Sequence, residues 1–431
     1  MSQRTTLVLI GIAALLAGYI LVFERDALTT GELDARRGRA IEAFVRDRVT
    51  KIEIARGDQM IVLERSREGD DEALGDWQIT SPIRGAADQD AVDSLLGALE
   101  WASPRRRLTG VTSEDRTRFG FDRPRARASF TVANRQWPIV IGGDDPQGGG
   151  VYMRTALADN AFVVGRDVFE ALDHDADHFR SKDALGEFGA GYATKLSLEQ
   201  GSARIVLEKR NELWWFVSPA HGIALGRLVD ERLGALDGLR IERFVAEAPT
   251  DLTPYGLVTP ATKISMERPG AGDQPTRTVT LVLGSACADH EGEVHARIDQ
   301  GPVLCVQSGP VTTLAGSAEE MRDKRFLPLP DNDIERIEVA QRGQTVRLEH
   351  GDEGWEIVHG ETRTPAPSEA ITELLGELRS AEIIEFGASD PTTLAARGLA
   401  QSAATITFTS GEEDHVFALR LGSTVGDNVY G

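Results

Sequence analysis

Three short runs alternate apolar and polar residues: Lys51-Ile52-Glu53-Ile54, Lys195-Leu196-Ser197-Leu198 and Arg336-Ile337-Glu338-Val339. A period of two predicts strands with one buried face. A second strand follows each run (Met60 to Glu64, Arg204 to Glu208, Thr345 to Glu349), and a third begins at Trp77, Trp215 or Trp355. These tryptophans stand 138 and 140 positions apart, which marks an internal repeat. The period then changes to that of a helix. Val92, Leu95, Leu96 and Leu99 share one helical face, as do Leu228, Val229, Leu233 and Leu236, and Ile371, Leu374, Leu375 and Leu378. Asp88 and Ser368 are candidate N-caps.

Two sets of glycines recur with the pattern. Gly97, Gly234 and Gly376 lie inside the helices. An interior helical glycine costs about 1 kcal/mol relative to alanine, so its return predicts a close approach of helix backbone to sheet. Gly142, Gly284 and Gly422 each end an apolar strand, after turns at Phe119-Gly120-Phe121, Tyr255-Gly256-Leu257 and Arg397-Gly398-Leu399. The next strand opens Val151-Tyr152, Val294-His295 or Val429-Tyr430. The first two copies add one more strand and close on Phe179-Arg180-Ser181-Lys182 and Met321-Arg322-Asp323-Lys324. The third stops at Gly431 and is expected to lack a strand and the closing helix, as a fragment would, or to receive that strand from a partner.

One segment breaks the pattern. The nineteen residues from Thr5 to Phe23 carry no charge, and as a helix they would span about 28 Å, close to a bilayer core. Arg4 precedes the stretch, whereas Glu24, Arg25 and Asp26 follow it, so the amino terminus is expected in the cytoplasm and the body outside it. A cleaved signal peptide is the competing reading, but Ala17-Gly18 is followed by five large residues, a poor cleavage context. The expected architecture is α+β. A transmembrane anchor (1–23) and a juxtamembrane linker (24–48) precede three tandem units (49–188, 189–330, and 331–431 incomplete), each an antiparallel meander with a packed helix.

Composition narrows the function. Among 431 residues, 47 Lys+Arg against 68 Asp+Glu give a net charge of −21, which excludes a phosphate-backbone binder. The sequence has no P-loop, no H-E-x-x-H and no G-x-S-x-G, so no catalytic residue and no cofactor is assigned. Two metal-like clusters stand out: His174 with His178, and Cys287 with Asp289, His290, Glu291 and His295. The first reads mainly as a polar helix face. For the second, a disulfide between Cys287 and Cys305, the two cysteines of the chain, is the alternative to zinc. In a simple meander their strands are not neighbours, so the disulfide requires the loop to fold back. Arg105-Arg106-Arg107 reads as a solvated strand edge or an anion site, and the tryptophans as core rather than sugar platforms.

In order and spacing, these motifs resemble the bacterial domain-of-unknown-function family numbered 4340. The likeness is carried by the Trp77 to Pro82 strand, the helix after Asp88, the Phe119-Gly120-Phe121 turn, the Gly142 hairpin with Val151-Tyr152, and the Phe179 to Lys182 close. The resemblance implies a membrane-anchored envelope protein of α+β build, often encoded beside gliding-type ABC transport components, with no catalytic residues to carry over. The expected function is therefore a non-enzymatic, single-span inner-membrane protein with its body in the periplasm, auxiliary to an ABC-type export or gliding-motility-like complex. Its expected partners are the membrane and ABC transporter subunits, and its oligomeric state is open. The rivals are an adhesive repeat protein binding cell-wall polymer, and an enzyme built on one of the histidine clusters.

Overall fold

The computed structural model of the chain describes residues 30–41, 44–66, 74–132, 135–155, 160–219, 222–288, 290–312, 316–329, 334–351, 354–388, 390–410 and 415–431. The chain divides into two compact units, the first ending at Lys182 and the second beginning at Asp183.

The first unit is built on one antiparallel sheet. Its strands are β1 (Val49–Arg56), β2 (Gln59–Glu64), β3 (Gln78–Ser81), β4 (Gly85–Ala86), β5 (Arg106–Leu108), β6 (Ala126–Val132), β7 (Arg135–Asp144), β8 (Gly150–Thr155) and β9 (Ala161–Gly165), in the order β4-β3-β2-β1-β6-β7-β8-β9-β5. Alternation decides which side chains go inward. Ile52 and Ile54 of β1, Ile61 and Leu63 of β2, and Ile139 and Ile141 of β7 are buried in one core. The helix Gln89–Glu100 contributes Val92, Leu95, Leu96 and Leu99 to that core. Asp88 caps it by accepting a 3.1 Å hydrogen bond from the Ala91 amide.

The second unit repeats this plan twice. One sheet runs Leu213–Ser218, Ala203–Arg210, Lys195–Gln200, Thr262–Arg268, Arg277–Ala286, Glu293–Ile298, Val303–Gln307, Ile241–Ala246. The other runs Thr362–Pro365, Gly354–His359, Gln344–Gly351, Ile334–Gln341, Ala404–Ser410, His415–Leu421. The opening hairpins share one register: Lys51 opposes Glu64, Lys195 opposes Glu208, and Arg336 opposes Glu349.

The structure corrects the expected fold class. Among the described residues strands hold 43% and helices 21%, so sheets dominate and each helix is a cover for one face rather than an equal partner. No helix among the described residues is long and apolar enough to cross a membrane, and the stretch Thr5 to Phe23 lies outside those residues. Nor are the sheets simple meanders. β1 sits mid-sheet between β2 and β6, and β5, the strand after the helix, pairs with β9 at the far edge. The helix thus carries the chain across the sheet from one edge to the other.

Unit boundaries and repeat positions also shift. The Ala40 amide bonds the Ala102 carbonyl at 2.9 Å, and Ala184 to Leu239 (3.0 Å) and Phe326 to Ala381 (3.2 Å) repeat that contact. Ile41 and Phe44 therefore belong to the first core rather than to a linker, and Leu185 and Phe188 belong to the second core. Leu327 and Leu329 open the third. The equivalent of Trp77 is Trp214, not Trp215: Lys209 opposes Trp214, and His350 opposes Trp355 in the same register. A one-residue slip turns a side chain to the other face, and Trp77 and Trp214 are the buried pair. Ser368 is the first residue of its helix rather than its cap; Pro367 holds that place without a side-chain hydrogen bond.

The glycines divide into two classes. A Cβ on Gly234 or Gly376 would meet nothing within 4 Å, and one on Gly97 would meet only Arg46 Nη1 at 3.8 Å, so no close approach explains them. A Cβ on Gly142, Gly284 or Gly422 would instead collide with the carbonyl oxygen of Phe119, Tyr255 or Arg397 respectively. The turn glycines that follow those carbonyls, Gly120, Gly256 and Gly398, have φ of +79°, +68° and +73°, where side chains are strained. Gly142→Ala and Gly284→Ala are each expected to lower stability by about 2–3 kcal/mol through overpacking against backbone. Gly234→Ala is expected to raise stability by about 0.5–1 kcal/mol. Urea unfolding of the three variants checks both signs.

Candidate functional site

The face of the first sheet opposite the helix carries a second, smaller cluster. In the first unit Phe119, Phe121, Tyr152, Ala161 and Val163 are buried together, with Val140 and Leu108 at the margin. These positions alternate with the core residues Ile139, Ile141, Val151, Met153, Phe162 and Val164, which places them on the outer side. The helix Ser113–Arg118 delivers Phe119 to this side. It is held by a capping box in which Thr112 and Asp115 satisfy each other's backbone amides.

A cross-strand row runs through the cluster: Arg106 opposes Val163, and Val163 opposes Tyr152. Arg106 Nη2 donates to Asp145 Oδ1 at 2.9 Å, and the Tyr152 hydroxyl donates to the same oxygen at 3.3 Å. Asp145 is buried, so this charge survives only because it is paired. Burial and the Asp145 carboxylate push the Tyr152 phenol above its ordinary pKa. Phe119 stacks on Tyr152 with ring centroids 4.3 Å apart.

The second sheet reproduces the row with different chemistry. Arg243 opposes Cys305, and Cys305 opposes His295. Tyr255 replaces Phe119 and meets the His295 ring edge-on at 5.2 Å. Cys287 takes the place of Asp145. Its amide bonds the Glu293 carbonyl at 2.9 Å, as the Asp145 amide bonds that of Gly150 at 2.9 Å. Cys287 and Cys305 form a disulfide with Cα atoms 6.3 Å apart. The fold-back it requires comes from a slip of the ladder between Leu283 and Ala286, beyond which Cys287 swings over the neighbouring strand. Arg243, deprived of an aspartate partner, pairs with Glu293 at 2.8 Å. In the third sheet Arg397 lies over the Tyr430 ring at 5.0 Å.

Of the residues singled out in the sequence, His295, Cys287 and Cys305 come together, with one ligand atom of each within 4.8 Å of the others. His290 does not join them. Its Nδ1 lies 3.7 Å from Glu293, and it lines an open groove with Ala286, Cys287, Glu291 and Gly292. Asp289 is outside the described residues. His174 and His178 do not share a helix, because the helix Asp167–Leu172 ends before them. Their rings stack face to face, 3.5 Å apart and 7° from parallel. In-plane lone pairs on stacked rings run side by side and do not converge on an ion. Burial, and then the His174 and Lys182 charges, hold His178 below its usual pKa. Arg105-Arg106-Arg107 is no free anion patch either: Arg106 is committed to Asp145, and Arg107 Nη2 donates to the Arg39 carbonyl at 3.1 Å. Sequence reasoning missed Asp145, Glu293 and Ser285, and read Tyr152 only as part of a strand opening. Aligning the repeats on Gly142 and Gly284 is the signal that finds them.

Reduction of the Cys287–Cys305 bond, or the double change Cys287→Ala with Cys305→Ala, is expected to lower the stability of the second unit by about 3 kcal/mol, the loop-closure value for a separation near 18 residues. The transition of the first unit should not move. Denaturant unfolding with and without a reductant measures both.

The chain shows no match among curated proteins. A family model described as a domain of unknown function matches residues 77–226 and again 214–402. The two matches begin 214 − 77 = 137 positions apart, the spacing of Trp77 and Trp214. They start at the tryptophan strand of one copy and run into the next, so the family's segment is out of phase with the packed copy. Together the matches cover most of the sequence, and the chain belongs to the domain-of-unknown-function family 4340, which it carries as a repeated domain.

Proposed function

We propose that this is a non-enzymatic, extracytoplasmic repeat protein that serves as an auxiliary subunit of an ABC-type export or motility complex. The observation that carries the location is the disulfide. Both cysteines of the chain are committed to it, both are buried, and such bonds persist in oxidising compartments. The non-enzymatic part rests on the outer-face cluster. One backbone frame presents Asp145, Arg106 and Tyr152 in the first copy, a disulfide with His295 in the second, and Arg397 with Tyr430 in the third. A shared reaction would call for shared groups, whereas a shared scaffold does not. The transport role rests on the family resemblance and on the build, since tandem units joined in one chain raise the local concentration of binding surfaces for a partner.

The test quenches intact cells with acid, alkylates free thiols and weighs the protein, then crosslinks and purifies it from membranes. Unalkylated Cys287 and Cys305 together with recovered ABC transport subunits are expected. Two alkylated cysteines would overturn the location, and recovery of cell-wall polymer without transport subunits would overturn the partner.

A further inference from the structure

We propose that reduction of the Cys287–Cys305 bond converts Cys287, Cys305 and His295 into a binding site for a thiophilic divalent cation of the zinc class. Three observations converge on it. One ligand atom from each of the three residues lies within 4.8 Å of the others. Donors around a tetrahedral zinc sit about 3.5–3.8 Å apart, given Zn–S near 2.3 Å and Zn–N near 2.0 Å, so once the S–S bond is broken the two sulfurs part to that spacing and side-chain rotation brings the histidine nitrogen in. Register is the second observation. Cys305 and His295 are directly opposed, and Cys287 occupies the position of Asp145. The first copy fills the three equivalent places with Asp145, Val163 and Tyr152. The second copy has thus changed all three to soft or borderline metal ligands. A structural disulfide accounts for two of those changes and leaves His295 unexplained.

The surroundings of the three residues are those of a supported site. His295 Nδ1 lies 3.1 Å from the Ser285 carbonyl and 3.3 Å from the Ser285 hydroxyl, and in the tautomer that donates from Nδ1 to the carbonyl the lone pair is on Nε2. This is the outer-shell arrangement that orients ligating histidines. An open groove lined by Ala286, Cys287, His290, Glu291 and Gly292 reaches Cys287 from solvent.

The redox step is a two-electron exchange. A small-molecule or protein dithiol attacks the bond and leaves as its own disulfide, and its two electrons and two protons pass to the Cys287 and Cys305 sulfurs. Cation binding then releases those two protons as both thiols become thiolates. In the oxidised protein the sulfurs hold no charge and the site is closed. The inference concerns the chemistry of these residues and does not rest on where the protein resides.

The full chain, reduced anaerobically with a dithiol, desalted and shown by alkylation to hold two free thiols, is titrated with cobalt(II) as a spectroscopic stand-in for zinc. The expected result is one cobalt per chain, with thiolate-to-metal charge-transfer and tetrahedral ligand-field absorption that zinc abolishes. The oxidised protein should show neither. His295→Ala should weaken binding by roughly ten-fold or more, the scale seen when a metal's ligand set or its support is disturbed. Cys305→Ser should remove the charge-transfer pattern of two thiolates, and His290→Ala should change nothing. Absent cobalt absorption in protein with two counted thiols, or undiminished affinity in folded His295→Ala, overturns the proposal.

Discussion

In each copy two stretches of backbone touch where no side chain fits between them. The carbonyl of Phe119, Tyr255 or Arg397 lies against the Cα of Gly142, Gly284 or Gly422, and the next residue, a glycine, turns the chain through positive φ. In the first and third copies the same carbonyl accepts an amide hydrogen bond, from Gly143 at 2.8 Å and from Ser423 at 2.9 Å. This lock ties a turn to a strand that begins some twenty residues later. It holds Phe119 over Tyr152, Tyr255 over His295 and Arg397 over Tyr430, so the whole outer-face cluster depends on it.

Once the backbone is fixed in this way, the side chains on the outer face are free to diverge. The first copy fills the frame with a buried Asp145 neutralised by Arg106 and Tyr152, an arrangement that costs desolvation and is recovered through hydrogen bonds. The second exchanges that charge for a covalent bond and moves the arginine's partner to Glu293. Neither solution alters the helix-covered core, which keeps its aliphatic face in all three copies. Conserved frame and variable chemistry together are what a scaffold for binding surfaces requires.

Much of this was legible in the sequence. Period-two runs located the strands, period-3.6 runs located the helices, and the strand glycines recurred at the right places. Recurrence alone did not separate need from ancestry: Gly142, Gly284 and Gly422 are sterically required, whereas Gly97, Gly234 and Gly376 recur just as faithfully and touch little. The tryptophan slip arose because Trp214 and Trp215 are adjacent, and alternation cannot say which of two neighbours faces inward. The sheet order was hidden because the pairing of β1 with β6 joins residues some eighty positions apart, which local pattern does not record. For the same reason Cys287 and Cys305 looked too far apart until the ladder slip beside Ser285 was seen.

Residue-resolved hydrogen exchange in the native state tests the lock most directly. The Gly143 and Ser423 amides should exchange as slowly as those of the central strands around Ile52 and Ile337, opening only when their units unfold. Exchange of those two amides at the rate of an exposed hairpin glycine such as Gly57 would contradict the account.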